Sequence, residues 1–188
     1  MKLGDKAKVI VDDTCADPQG HIGIITKIDN GYYYAAHELE VIPKKIRGFQ
    51  RIIGFLDIPL PTRATRHSAG YDLRVTDDIT LAPGETKAYT TGLCAYMQPD
   101  EVLEIHIRSS IGIYSNVVLS NGTSIIDSDY IQSDNGGHIM IALTNTGNEV
   151  FHAPKGDRVA QGIFHKYLVT DDDNVTTERN GGWGSTGA

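Results

Sequence analysis

From Ile53 to Tyr167 the chain is interrupted every few residues by Gly, Pro, Asn or Asp, and this punctuation limits its fold more than any other feature. The stretches between interruptions are too short for ordinary helices. They are rich in Val, Ile, Thr and Tyr, whose branched or aromatic side chains suit a pleated surface. They predict strands at Ile53–Ile58, Asp72–Thr76, Glu85–Leu93, Val102–Ile107, Val117–Leu119, His138–Leu143, Val150–His152 and Val159–Tyr167. APGE (Ala82–Glu85), TNTGNE (Thr144–Glu149) and APKGD (Ala153–Asp157) supply the turn chemistry between them. Only Ser110–Ser115 allows helix, and then a single turn. Many short strands of this kind indicate an all-β sandwich, jelly roll or barrel.

Ahead of this region, Lys6–Asp13, His21–Ile28 and Glu38–Pro43 read as three more strands, separated by DPQG and DNG turns. Together with the run Tyr32-Tyr33-Tyr34 they are compatible with a small SH3-like β module. The basic stretch Pro43–Gly48 (PKKIRG) is the candidate linker. The expected organisation is a small β module over 1–45, a main β domain over 46–177 and a Gly-rich tail over 178–188. A chain of 188 residues is long enough for that main core plus one small module. Its net charge of −7 argues against broad nucleic-acid binding, which needs a basic footprint, but leaves room for a small anionic ligand gathered by local Arg and backbone N–H groups. Cys15 and Cys94 stand far apart with no metal or redox spacing, as expected of free thiols in a reducing compartment. The seven His residues are scattered singly. No apolar run is long enough to span a membrane, and Met-Lys-Leu-Gly does not open a signal peptide, so a cytoplasmic protein is expected, or one of the host cytoplasm if the source is viral.

Five patches concentrate polar chemistry. In AGYDL (Ala69–Leu73), Gly70 allows a close approach and Asp72 presents a carboxylate as a strand begins. In IRSSIG (Ile107–Gly112), Arg108 can fork onto phosphate oxygens, and Ser109 and Ser110 can donate to others. A helical turn starting there would add free N–H groups. NGTSIIDSDY (Asn121–Tyr130) is the densest: Ile125 and Ile126 deliver Asp127, with Asp129 and Tyr130 directly after, a carboxylate in apolar company suited to activating water. KGDRVAQGIF (Lys155–Phe164) turns into a strand that carries Gln161. Finally RNGGWGSTGA (Arg179–Ala188) cannot hold a helix or strand by itself, but its glycine N–H groups, Ser185 and Thr186 can cradle phosphate while Trp183 offers a flat face to a base.

The order AGYDL, RSS, NGxxxIDSDY, GDRxAQ, GGWGSTG closely resembles the five motifs of the trimeric dUTPases, the deoxyuridine triphosphate nucleotidohydrolases. The resemblance runs from about Arg47 to Ala188, roughly three quarters of the chain. It implies a β jelly roll assembled as a homotrimer, each active site collecting motifs from all three subunits. It also implies hydrolysis of dUTP to dUMP and pyrophosphate, with Asp127 orienting the attacking water and Asp72 reaching Mg²⁺ through water. By the same resemblance Arg108, Ser109, Ser110 and Gln161 are phosphate contacts. Asn121, Ile125 and Ile126 belong to a hairpin, Asn121–Asp127, whose backbone reads the uracil edge. Tyr130 packs under the sugar and excludes a ribose hydroxyl, and Met140 is a further substrate-lining position. The tail brings Gly182, Trp183, Gly184, Ser185 and Thr186 over the nucleotide. Cytosine would leave buried partners unpaired at about 1–3 kcal/mol each.

Several positions depart from the family pattern. Ser110 and Ser124 stand where Gly is usual, Ile131–Gly137 is an apparent insertion, and Arg179 sits closer to Gly181-Gly182 than usual, leaving its contact with the γ-phosphate an open question. Two alternatives stay in view. One is a dCTP deaminase-related enzyme of the same jelly roll, which carries a Glu where this chain has Ala142 among apolar neighbours. The other is a dUTPase-fold protein acting partly as a regulatory binder, through a protein partner of its N-terminal module or through the insertion.

Overall fold

A computed structural model describes residues 45–179 and 181, together with the backbone of 6–8, 21–29, 32–35 and 40–41. The chain divides into two compact units, Met1–Lys45 and Ile46–Ala188. In the first unit β1 (Lys6–Lys8), β2 (His21–Asp29), β3 (Tyr32–Ala35) and β4 (Glu40–Val41) pair antiparallel, with β2 as the shared strand. The Tyr run is therefore itself a strand, β3, placed opposite Ile28 and its neighbours. The SH3-like expectation rests in part on residues outside the described ones.

The second unit contains β5 (Gly48–Arg51), β6 (Tyr71–Arg74), β7 (Ile79–Leu81), β8 (Thr86–Thr90), β9 (Leu93–Tyr96), β10 (Glu101–Ile107), α1 (Ser109–Tyr114), β11 (Val117–Leu119), β12 (Ser124–Asp127), a 3₁₀ turn (Tyr130–Gln132), β13 (Met140–Asn145), β14 (Phe151–Ala153) and β15 (Arg158–Lys166). Its largest sheet runs β12-β10-β15-β6; β11-β13-β8 form a second, and β14-β7 and β5-β9 are two-stranded. Every pairing is antiparallel. Strict alternation sets which side chains turn inward. On β10, Leu103 and Ile105 are fully buried, while Glu104 and His106 face the other way. On β13, Ile141 and Leu143 alternate with partly exposed neighbours. These four join Leu73, Leu93, Ile139 and Val159 in one apolar core, each large side chain contributing about 1.5–3 kcal/mol by leaving water. The core also takes Asn145, whose amide donates to the Leu81 and Glu149 carbonyls at 2.9 and 2.8 Å. No buried side-chain nitrogen or oxygen lacks a partner among the described residues.

Two sequence expectations differ from this fold. Ile53–Ile58 is a pair of turns, and the strand lies earlier, at β5. Gly54 sits at φ +96°, which breaks an extended run, and Ile53 is 94% exposed, so its apolar character was no sign of burial. Glu85–Leu93 is two strands, β8 and β9, parted at Gly92. That residue has φ +70°, and a Cβ there would meet Phe55 Cβ at 2.8 Å. The three-residue β7 was too short to show any periodicity. The single helical turn does form, one residue early, as α1.

Candidate active site

β6 and β15 build the first cluster. Asp72 lies opposite Gln161 in the ladder, and Gln161 lies opposite His106 of β10. The mostly buried Asp72 carboxylate holds Arg108 Nε at 3.2 Å and Arg158 Nη1 at 2.9 Å. Arg108 Nη1 also donates to the Arg158 carbonyl at 3.2 Å. Ser109 and Ser110 follow as the exposed first residues of α1. A Cβ at Gly70 would fall 2.3 Å from Gln161 Oε1, so a side chain there would push the Gln161 amide aside. Thus Asp72, Arg108, Ser109, Ser110 and Gln161 come together, and the structure adds Arg158, which sequence reasoning passed over although it stands inside the GDRVAQ patch.

β12 carries the second cluster. It alternates cleanly: Ser124 and Ile126 are buried, Ile125 and Asp127 exposed. Asp127 therefore projects beside Ile125 on the open face, with only one of its two Ile neighbours buried. Arg179 reaches back to this carboxylate with Nη2 and donates Nε to Asp129 at 2.8 Å. The Asp129 hydrogen bond pushes the Arg179 guanidinium further toward its charged form, and Asp127 adds to the effect against partial burial. The guanidinium lies 5.8 Å from the centroid of the Tyr130 ring, within cation–π range. Arg179 thus sits on the motif-three carboxylates and not beside Arg108. Tyr130 is buried and its phenol donates to the His138 carbonyl at 3.3 Å.

The Asn121–Asp127 segment is not a hydrogen-bonded hairpin. β11 pairs with β13 and β12 pairs with β10, so a turn at 120–123, with Gly122 at φ +73°, carries the chain from one sheet to the other. Ser124, in the usual Gly position, donates to Asn121 Oδ1 at 3.1 Å and pins that turn. β12 is an outermost strand of its sheet among the described residues, so one row of its backbone N–H and C=O groups is free of ladder bonds. Met140 opens β13, half-buried, opposite Thr90. Gly182, Trp183, Gly184, Ser185 and Thr186 lie outside the described residues.

The ladder also fixes how far apart the two clusters are. Asp127 aligns with Val102, and Asp72, through Gln161, aligns with His106. Four residues along β10 and three strand spacings across the sheet place the two positions about 20 Å apart within one chain.

The sequence model of the dUTPase family matches residues 57–187. The chain belongs to the dUTPase family. It is 44% identical over 149 residues to the deoxyuridine 5'-triphosphate nucleotidohydrolase of Lactococcus lactis subsp. lactis, covering 77% of this chain and 99% of that protein. It is 37% identical to the dUTPase of Streptococcus mutans, whose crystal structure it matches with a TM-score of 0.62 over 66% of this chain and 98% of the other. The dUTPase of phage phi11 of S. aureus, described as coordinating a structural Mg(II) ion, shares the fold with a TM-score of 0.60 at 16% identity over 71% of this chain and 98% of that one. The all-β architecture is accordingly that of the dUTPase jelly roll. All five patches, from Asp72 to Thr186, fall inside the dUTPase match, whereas Met1–Lys45 falls outside it.

Proposed function

We infer that this chain hydrolyses dUTP to dUMP and pyrophosphate, which keeps uracil out of DNA and supplies dUMP for thymidine nucleotide synthesis. The observation that carries the reading is a dUTPase match spanning every polar patch, on a fold that exposes Asp127 and gathers Asp72, Arg108 and Gln161.

Asp127 is the base. Half-exposed at a strand end, its carboxylate can accept a proton from a water within hydrogen-bond reach. The oxygen of that water bonds to the α-phosphorus, the bond from that phosphorus to the bridging oxygen of the β-phosphate breaks, and pyrophosphate leaves. Arg108, Ser109, Ser110 and Gln161 bind phosphate oxygens, and the tail closes over the nucleotide with Trp183 on the base. The free edge of β12, from Ser124 to Asp127, offers backbone donors and acceptors to uracil, with Asn121 holding the turn that aims it.

Asp72 suits Mg²⁺ held at one remove. Among the described residues no three or more His, Cys, Asp or Glu are arranged to grip an ion directly, but a cation carried on phosphate oxygens keeps several waters and needs only one outer carboxylate. When bound there, Mg²⁺ neutralises triphosphate charge.

The 20 Å separation bears on assembly. Asp127 stands at one side of the sheet and Asp72 at the other, an arrangement that suits a site assembled from more than one chain. On this reading Asp72 and Asp127 of a given site come from different chains, in keeping with a homotrimer. Met1–Lys45 is an appended module, and pull-down with and without residues 1–45 tests it as the seat of a protein partner. Pyrophosphate release measured side by side with dUTP, dCTP, dTTP and UTP tests the whole reading: turnover confined to dUTP supports it, and equal turnover of dCTP or dTTP refutes it.

A further inference from the structure

The segment 131–137, an apparent insertion, is a loop closed on itself around one side chain. Asn135 Oδ1 accepts from the backbone N–H of Gly137 at 3.0 Å and of His138 at 3.2 Å. Two N–H donors fix which end of the amide is oxygen. Nδ2 is thereby turned toward Tyr130, donating to its phenol oxygen at 3.0 Å and to the His138 carbonyl at 3.5 Å. The buried Ser133 closes the other end, its Oγ 2.7 Å from both the Tyr130 carbonyl and Asn135 Oδ1 while accepting from Gly137 N at 3.2 Å. Gly137 makes the closure possible: it sits at φ +70°, and a Cβ there would lie 2.6 Å from Ile131 Cα. Tyr130 is thus held at its main chain and at the far tip of its ring by one seven-residue loop.

That double grip has a consequence for chemistry. Tyr130 stands on a short 3₁₀ turn just past the end of β12, where nothing in the strand ladder fixes its height. Excluding a single hydroxyl from a substrate requires the excluding ring to be placed to about half an ångström. The turn alone does not supply such precision; core packing and the His138 carbonyl hold the ring in part, and the amide of Asn135 makes the shorter contact at its tip.

We propose that Asn135 is a positioning residue for sugar selectivity, fixing the Tyr130 ring so that a deoxyribose fits and a ribose does not. The proposal rests on the dUTP reading above and deepens it. The test is kcat/KM for dUTP and for UTP, measured on the full chain, on Asn135→Ala, on Tyr130→Phe and on the double variant. Asn135→Ala is expected to lower the dUTP-to-UTP ratio about tenfold, or about 1.4 kcal/mol, with kcat for dUTP within about threefold of the parent. Tyr130→Phe keeps the ring and loses the phenol contact, and is expected to narrow the ratio similarly. Adding Asn135→Ala to it is expected to narrow the ratio little more, since the contact by which Asn135 reaches the ring is already gone. A parent enzyme that favours dUTP together with an Asn135→Ala ratio that is unchanged, both substrates slowing alike, would overturn the positioning role. If Asn135→Ala does not fold, Asn135→Ser, too short to reach the phenol, decides: an unchanged ratio overturns the proposal and a narrowed one supports it. A parent enzyme indifferent to the 2′-hydroxyl would remove the underlying substrate reading instead.

Discussion

Mixing two inactive variants tests whether the site is shared between chains. Asp72→Asn and Asp127→Asn each remove one carboxylate while keeping side-chain shape, and each alone should leave almost no turnover. The sheet register places the backbones of these positions about 20 Å apart in one chain, a separation that two chains meeting at one site would remove. If every site takes Asp72 from one chain and Asp127 from another, a mixed oligomer rebuilds intact sites from two dead parents. In an equimolar random assembly half the chains supply a normal Asp72 and half a normal Asp127, so about one quarter of sites are complete. The assay is pyrophosphate release from dUTP by differently tagged variants, co-expressed and purified through both tags, with each variant alone as the blank. Selection through both tags leaves mixed trimers, each with one complete site of three, so recovery of about a third of parental turnover is expected. Turnover no higher than the blanks, in oligomers shown to be mixed, would refute the register argument and place both carboxylates in one chain's site.

Two further outcomes follow from the same structure. Truncation after Arg179 should reduce turnover severely and leave Tm unchanged, because among the described residues the apolar core and its packed neighbours draw on none beyond Phe164; calorimetry of the truncated protein checks this, and a fall in Tm would make the tail structural. His138 is held below its usual pKa by burial, and its Nε2 accepts the Gly92 N–H at 3.0 Å, so the folded chain prefers it neutral. The unfolded chain then binds the extra proton more readily. The contribution is fully present above about pH 6.5 and is lost as pH falls below it. Tm recorded from about pH 7.5 to 5.5 should decline, and less steeply in His138→Gln; identical slopes would contradict the assignment.

Much of this was legible because chemistry and strand spelling coincide. Punctuation by Gly, Pro and Asn marked most strands to within a residue or two, and the polar patches lie at strand ends, where turn residues and functional residues share a vocabulary. The errors came where apolar spelling and burial part company. Ile53 and Leu56 look like core and stand in solvent, and Gly92 divides one apparent strand into two by its φ. β7 is too short for any pattern. Long-range pairing was out of reach for a different reason: nothing local to Arg158 announces that it meets Asp72, and nothing local to Arg179 says that it returns to Asp127 and Asp129 across fifty residues. Asn135 left a faint trace. DNGG after a Tyr marks a tight turn, but that its amide turns inward to the phenol is a matter of three dimensions.

Turnover by Asp127→Asn measures the central claim most directly. The substitution keeps volume and one carbonyl acceptor but removes the ionised base, so hydrolysis of dUTP should fall by at least about 100-fold, while binding of a non-hydrolysable dUTP analogue stays near the parental affinity. Near-normal turnover in that variant would contradict the account.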